Sequence, residues 1–161
     1  MNIHGGYLAV FVAAYEPDMG GEYAQFPSKD YTDSYRTDVL HYAISKDGKE
    51  YRALNNGKGV FYPEGLYQLG SPSLFRKKDG TYGLIASMNN STHQVLLYDS
   101  GDLIFFTNQR IIDLGGQQDV VKNPCVSYKE NLNAYEVYWE DGSGQAYINS
   151  TTDFAAFTKA T

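Results

Sequence analysis

Residues that could contact a ligand are concentrated between positions 15 and 38. This stretch carries aromatic side chains at Tyr15, Tyr23, Phe26, Tyr31 and Tyr35, and carboxylates at Asp18, Glu22, Asp30, Asp33 and Asp38. Aromatic rings stack on the C–H faces of sugars, and carboxylates accept hydrogen bonds from hydroxyl groups. We therefore predict a sugar-binding loop whose contacts are Tyr23, Asp30, Tyr31, Asp33 and Tyr35. The alternative is a polar loop whose aromatic side chains pack on their own sheet or on a neighbouring chain.

Other kinds of site receive little support from the composition. The chain has one cysteine, Cys125, and three histidines without metal-ligand spacing, so we expect no metal and no cofactor. The net charge is −6 and the longest basic run is the triplet Arg76-Lys77-Lys78, which argues against a nucleic-acid partner. The longest apolar run, residues 7–15, is far shorter than the roughly twenty residues of a membrane helix, so no membrane partner is expected.

The elements that position these residues follow an internal repeat. Three copies of one pattern, offset by 55 and 51 residues, each contain a short apolar strand, a Ser or Thr, an Asp two positions later and an aromatic residue four positions after the Asp. The copies are Ser45, Asp47 and Tyr51; Ser100, Asp102 and Phe106; and Thr151, Asp153 and Phe157. Pro72 and Pro124, which are 52 residues apart, precede the later two copies. A fixed period of about this length is typical of solenoids, propellers and arrays.

Each repeat is predicted to form strands only. Apolar segments bounded by Gly, Asp, Asn and Lys indicate ten strands, at residues 7–15, 39–45, 51–54, 73–76, 82–87, 94–99, 105–112, 124–128, 134–140 and 145–150. Three of the turns between them contain Asp-Gly, at residues 47–48, 79–80 and 141–142, where a hairpin needs positive φ. Consecutive strands joined by such turns form antiparallel meanders.

Four-stranded antiparallel sheets repeated at this period indicate the blades of a β-propeller. We predict an all-β fold with one domain, 1–161, and blade units at about 7–62, 70–115 and 122–161. The first unit has no inner strand and the last ends at or just inside its fourth strand. Closed propellers have about 4 to 8 blades. The chain is therefore a fragment of a longer protein, an open partial propeller, or half of a ring shared by two chains in a homodimer.

In a propeller, the loop between the second and third strands of a blade lies where the channel opens. The candidate loop at residues 16–37 occupies this position in the first unit. The loop at 88–93 occupies it in the second, so Asn89 and His93 are predicted to face the same opening. Asn123, which precedes the proline of the third unit, completes the predicted set of sugar contacts.

The chain resembles the five-bladed propeller glycoside hydrolases of family 43, which include arabinofuranosidases, β-xylosidases and arabinanases. The segments LHYAISKDG at 40–48 and ALNNGK at 53–58 are similar to the first blade of those proteins. Residues 70–76, 79–82 and 98–103 are similar to the second blade, and residues 123–124 and 134–139 to the third. The resemblance implies a partial five-bladed propeller that covers about three-fifths of the family's fold.

The resemblance also implies where catalytic carboxylates would lie. The second-blade motif Arg-Asp-Pro corresponds here to Gly70-Ser71-Pro72, which replaces the Asp by Ser71. In the third blade, the general acid falls at Cys125 or, as in other members, at Lys122. The first-blade base would lie on the inner strand that this chain lacks. Because glycoside cleavage needs two carboxyl groups, we predict impaired catalysis.

Cys125 itself has two interpretations. Beside Lys122 its thiol could have a lowered pKa; alternatively, it is a small buried hydrophobic residue.

Three functions remain open from the sequence. The first is a carbohydrate-active module that binds sugar with its chemistry impaired. The second is an active glycosidase of arabinofuranosidase or xylosidase type, with carboxylates from a second chain, from missing sequence, or from Asp18, Asp30, Asp33 and Asp38. The third is a non-catalytic assembly module that pairs through blade edges.

The expected partner is an oligosaccharide or polysaccharide containing pentoses. The sequence as given opens without a signal peptide, which predicts a cytoplasmic protein, or a secreted one if it is part of a longer chain.

Overall fold

Antiparallel strands account for the regular structure of the chain. The computed structural model describes residues 5–13, 39–55, 59–65, 67–89, 91–114 and 120–161, and contains no α-helix in these ranges. Its strands are β1 (Tyr7–Ala13), β2 (Val39–Ser45), β3 (Arg52–Ala53), β4 (Leu69–Arg76), β5 (Tyr82–Met88), β6 (Gln94–Ser100), β7 (Thr107–Asp113), β8 (Lys122–Lys129), β9 (Ala134–Glu140) and β10 (Ala146–Thr151). Each corresponds to one of the strands that the sequence predicts.

The strands form three meandering sheets that follow the predicted blade units along the chain. Their orders are β1-β2-β3, β4-β5-β6-β7 and β8-β9-β10. The first sheet belongs to a compact unit of residues 1–62, and the other two belong to a second unit of residues 63–161. Division of the chain into one domain or two stays a prediction.

The inner strands of the second unit begin earlier than the sequence suggests. β4 begins at Leu69 and β8 at Lys122, whereas the prediction placed the starts at residues 73 and 124. Each strand is interrupted by a register shift, between Gly70 and Ser73 in β4 and between Lys122 and Cys125 in β8. A proline lacks the N–H that a regular ladder needs, and a bulge accommodates it inside a strand. For this reason the prolines that mark strand starts in the sequence lie inside the strands.

The outer positions of the two three-stranded sheets are partly filled by irregular chain. Beside β10, Ile148 and Thr161 exchange two backbone hydrogen bonds with N···O distances of 3.0 and 3.1 Å. In the first unit, Leu40 forms an isolated bridge with Phe61. The last residues of the chain therefore occupy the place of the fourth strand that the repeat predicts.

The core of the second unit lies between its two sheets. Alternate residues of β9 (Tyr135, Val137 and Trp139) are buried against Ile85 of β5 and Phe75 of β4. The apolar alternation of these strands thus places one face of each sheet against the other. These packed faces fix the relative positions of the inner strands β4 and β8.

The repeated Ser-x-Asp pattern forms a turn with one construction. In the second copy, the Ser100 hydroxyl accepts a hydrogen bond from the Leu103 N–H at 2.9 Å, and one carboxylate oxygen of Asp102 accepts two more from the N–H groups of Ile104 and Phe105. The third residue after the Ser or Thr has positive φ in every copy, at Gly48 (77°), Leu103 (66°) and Phe154 (61°). All three copies therefore share a positive φ at this position, although the residue that adopts it differs from copy to copy.

The prediction of positive φ at an Asp-Gly glycine is wrong for one of the three turns. Positive φ occurs at Gly48 and Gly80 as expected, but in the third turn it occurs at Gly144 (87°) rather than at Gly142. The Gly144 N–H donates to the Asp141 carbonyl at 3.1 Å, and the Asp141 N–H donates to the Gln145 carbonyl. The turn is longer than a two-residue hairpin, so the left-handed position falls at its end.

The turn carboxylates predict a specific acid sensitivity. Backbone N–H groups lower the pKa of Asp102 from the usual 3.8, and a group whose pKa is lower in the folded state loses its stabilising effect as the pH falls through that folded value. We expect stability to be flat above about pH 5 and to decline below about pH 4. In Asp102→Asn, whose amide oxygen still accepts both bonds, the decline should be shallower. Urea titrations at a series of pH values would measure this, and identical acid branches would contradict it.

Candidate functional site

One end of the second unit gathers the described residues that sequence reasoning selected. Because the sheets are antiparallel, the start of β4 lies beside the end of β5, and the start of β8 beside the end of β9. The Val121 N–H donates to the Thr92 carbonyl at 2.8 Å, so the start of β8 also lies beside the β5–β6 loop. We call this end the rim; its inner part consists of Ser71, Lys122, Asn123 and Glu140.

Ser71 and Asn123 occupy equivalent places in the two inner strands. Both are exposed, both precede a proline, and both have positive φ, 46° and 50°. Such a conformation is uncommon for residues other than glycine, and is better tolerated by Asn than by Ser. The two bulges thus expose the hydroxyl of Ser71 and the amide of Asn123 from equivalent backbone geometry. By this equivalence the counterpart of Ser71 in β8 is Asn123.

Glu140 brings a carboxylate to the rim that sequence reasoning missed. It ends β9 opposite Lys122, and one of its carboxylate oxygens accepts a hydrogen bond from the Asn123 amide at 3.2 Å. In the sequence, Glu140 ends the predicted strand 134–140 directly before Asp141-Gly142, and that pattern gives it no role in binding. The register of β8 against β9 is the signal that would have found it, because it pairs the residue before Asn123 with Glu140.

The neighbouring Asp141 is engaged by its own turn. Its carboxylate accepts hydrogen bonds from the Ser143 N–H at 2.8 Å, the Ser143 hydroxyl at 2.6 Å and the Gln145 N–H at 3.0 Å, and from the Tyr147 hydroxyl. The Ser143 hydroxyl, followed by backbone N–H groups, lowers the pKa of Asp141. This carboxylate therefore shapes the turn and stays ionised at neutral pH.

Neither interpretation of Cys125 is right. The side chain is exposed, so it is not a buried hydrophobic residue. Partial desolvation by the surrounding strands raises the pKa of its thiol, so the predicted lowering by Lys122 is also wrong. A thiol with a raised pKa is a poor nucleophile at neutral pH. Cys125 therefore supplies no activated group.

Asn89 and His93 lie at the same end, in the loop between β5 and β6. The Asn89 amide oxygen accepts a hydrogen bond from the Gln68 N–H at 2.6 Å, and the Asn89 backbone N–H donates to the Gln68 carbonyl at 2.9 Å. Both bonds join Asn89 to the residue that precedes β4. His93 Nε2 lies 3.2 Å from an oxygen of Asp113, with both side chains about half exposed. Both side chains thus have partners within the second unit, and their predicted roles as sugar contacts stay predictions.

The candidate sugar-binding loop falls outside the described residues. This applies to Tyr23, Asp30, Tyr31, Asp33 and Tyr35, and also to Asp18 and Asp38. Their predicted roles stay predictions.

Within the described ranges, no three His, Cys, Asp or Glu residues are grouped closely enough to hold a metal ion. In the same part of the chain, no helix has the length and apolar character needed to cross a membrane.

The inner rim offers hydrogen-bonding groups of several kinds. Ser71 and Asn123 supply a hydroxyl and an amide, Lys122 an ammonium group, and Glu140 a carboxylate. Glycoside cleavage needs two carboxyl groups about 5–9.5 Å apart, and the described inner rim presents one. The arrangement suits recognition of hydroxyl groups better than acid–base catalysis.

Comparison with known proteins agrees with the fold. The chain is similar to the solved structure of a GH43 β-1,3-galactosidase, with 16% identity, a TM-score of 0.57, and coverage of 80% of this chain and 27% of the other. It is likewise similar to 1,3Gal43A, an exo-β-1,3-galactanase from Clostridium thermocellum, with 16% identity, a TM-score of 0.59, and coverage of 98% and 32%. The chain thus spans about a third or less of these structures, and its fold is a partial five-bladed β-propeller.

A comparison with curated protein sequences finds no match. The model of the glycosyl hydrolase 43-related family, described as a probable glycosyl hydrolase domain, matches residues 19–161. Because that match covers most of the chain, this protein belongs to the glycosyl hydrolase 43-related family.

Proposed function

We propose that this chain binds a neutral oligosaccharide at the rim and does not cleave it unaided. The observation that carries the proposal is the equivalence of Ser71 and Asn123, which present a hydroxyl and an amide from matched bulges. Such groups, with Lys122 and Glu140 beside them, donate to and accept from sugar hydroxyls. Losing a positioned proton-transfer group costs roughly 10²–10⁴ in rate, and a single carboxylate leaves hydrolysis without its second partner.

Two classes of sugar are the natural probes for this site. The resemblance in sequence indicates pentose-containing oligosaccharides, whereas the structural relatives are named as enzymes acting on β-1,3-linked galactose. Both classes present hydroxyl groups and apolar C–H faces, so the rim chemistry serves either. The first experiment should therefore include arabino- and xylo-oligosaccharides together with β-1,3-galacto-oligosaccharides.

The test compares two asparagines with the same backbone conformation. Asn123 at the rim and Asn133 at the opposite end have φ values of 50° and 47°, and glycine keeps that conformation without strain. Asn123→Gly should weaken binding by calorimetry about twofold to tenfold, the value of one hydrogen bond. Asn133→Gly should leave it unchanged. Equal affinities in all three proteins would overturn binding at the rim.

Turnover assays with the same sugars and with aryl glycosides test the absence of cleavage. We expect no release above buffer.

An active glycosidase is the second candidate, favoured by the hydrogen bond between Asn123 and Glu140. In that case Glu140 is one of the two catalytic carboxyl groups, held in place by Asn123, and its partner comes from residues 16–38, from further sequence or from a second chain. Turnover that disappears in Glu140→Gln but survives in Glu130→Gln, an exposed residue of the β8–β9 turn, would establish this candidate and exclude the first.

A further inference from the structure

The first unit contains a cavity that is lined by residues of β1, of β2 and of the turn after β2. The cavity is lined by residues 5–7, 44–47 and 50–52 and has a volume of about 800 Å³, within the roughly 300–1,000 Å³ of small-molecule sites. It lies where β1 begins and β2 ends. The seven residues of β1 extend away from it for roughly 23 Å.

Two tyrosine rings line this cavity and are open to solvent. Tyr7 is 43% exposed and Tyr51 is 46% exposed. The Tyr7 ring lies against Gly48, since a Cβ added there would be 3.3–3.5 Å from three of its ring atoms. The turn that carries Gly48 is itself fixed by the Ser45 hydroxyl, which accepts a hydrogen bond from the Gly48 N–H at 2.8 Å. One aromatic wall is thus held in place before any ligand arrives.

The repeat shows that the fold does not require these rings to be exposed. The counterparts of Tyr7 in the later copies are Tyr82, which is half-buried, and Tyr135, which is buried. Phe157, the counterpart of Tyr51 in the third copy, packs against the core. Exposure of both rings on one cavity is particular to the first copy.

The charges around the cavity identify the kind of ligand. Lys46 and Arg52 are balanced by Asp47 and Glu50, so the lining carries no net charge and does not favour a phosphate or another anion. Charged side chains do form strong hydrogen bonds with hydroxyl groups. Exposed aromatic faces beside balanced polar groups match a ligand with apolar C–H surfaces and many hydroxyls.

We propose that this cavity is a second carbohydrate-binding site, which takes a short neutral oligosaccharide between Tyr7 and Tyr51. The proposal rests on the proposed function in one respect, that the ligand class is the same. The site acts independently of the rim. It would hold the protein on a polysaccharide while the rim binds another part of the same polysaccharide.

The experiment separates the two sites by substitution. Calorimetry and affinity electrophoresis with the oligosaccharides named above, and with their parent polysaccharides, would be applied to the wild type, Tyr51→Ala, Tyr7→Ala and Asn123→Gly. Phe105→Ala is the matched control, because Phe105 is an aromatic residue that is 72% exposed and lines no part of the cavity. Tyr51→Ala and Tyr7→Ala should each weaken one site about threefold to tenfold, and Phe105→Ala should change nothing. Circular dichroism confirms folding of each variant.

The outcomes distinguish this inference from the function at the rim. Two sites in the wild type, one weakened by Tyr51→Ala and the other by Asn123→Gly, support both proposals. Binding that only the Tyr51 and Tyr7 variants weaken supports the cavity and overturns the rim. Binding that Asn123→Gly weakens and both tyrosine variants leave intact overturns the cavity alone. No binding of any sugar by the folded wild type overturns both.

Discussion

Gly83→Ala is expected to destabilise the second unit by about 3 kcal/mol, the upper part of the range for overpacked cores. Gly83 lies on β5, and a Cβ added there would be 2.1, 2.4 and 2.7 Å from three atoms of the Phe75 ring. That ring cannot withdraw easily, because it is buried and packs on Tyr135 and Phe154 with centroid distances of 6.5 and 5.3 Å. Urea unfolding followed by the emission of Trp139, the one tryptophan of the chain, would measure the loss.

Three further variants complete this experiment. Gly101→Ala is the control, since a Cβ added at Gly101 has no atom within 4 Å, and its stability should stay within about 0.5 kcal/mol of the wild type. Phe75→Leu makes room for the methyl group, so the double variant Gly83→Ala/Phe75→Leu should be more stable than the sum of its single variants predicts. Additive effects would show that the cost of alanine arises elsewhere in β5.

The sequence was informative where one local rule determines the result. Short apolar segments bounded by Gly, Asp, Asn and Lys indicated all ten strands, because such residues end a strand through local backbone preferences. The Ser-x-Asp repeat predicted three turns of one kind, because a hydroxyl and a carboxylate that accept backbone N–H bonds act within four residues. These features depend on neighbours in sequence, which a single chain displays directly.

The sequence was less informative where pairing between strands decides. Pro72 and Pro124 correctly marked the inner strands, yet the bulges that carry Ser71 and Asn123 became visible only with the register of β4 on β5 and of β8 on β9. The same pairing sets Glu140 against the start of β8. Cys125 is a further example: a lone Cys on an inner strand suggested a small buried hydrophobic residue, whereas its side chain is exposed.

The first unit illustrates a related limit. The repeat aligned Tyr7 with Tyr82 and Tyr135 and so predicted equivalent strands, which is what the structure contains. It could not predict that the first ring stays exposed, because exposure depends on what packs over the sheet rather than on the strand itself. Repeats of this kind specify backbone geometry, and the differences between copies are where individual sites arise.

A second large loss of stability is expected at Asn149, a buried amide in the third sheet. Its side chain is 1% exposed, and it satisfies three groups at once. Its amide nitrogen donates to the carbonyls of Leu114 at 3.0 Å and Thr158 at 2.9 Å, and its oxygen accepts from Trp139 Nε1 at 2.7 Å. Asn149→Ala removes the bonds to all three partners. Each buried polar group left unsatisfied costs about 1–3 kcal/mol. We therefore expect the free energy of unfolding in urea titrations to fall by at least about 3 kcal/mol.

The adjacent residue and the indole provide the tests of this mechanism. Ser150 is the neighbour of Asn149 on the opposite face of β10, so Ser150→Ala should cost less than about 1 kcal/mol. Trp139→Phe removes the indole donor, and in that background Asn149→Ala leaves one buried group fewer without a partner. The cost of Asn149→Ala should therefore be smaller there than in the wild type, by about the value of one hydrogen bond, 0.5–1.5 kcal/mol. Unfolding of the Trp139→Phe proteins is followed by circular dichroism, because they lack the tryptophan fluorophore. An equal loss of stability from Asn149→Ala in both backgrounds would mean that the amide stabilises the sheet through packing rather than through these bonds.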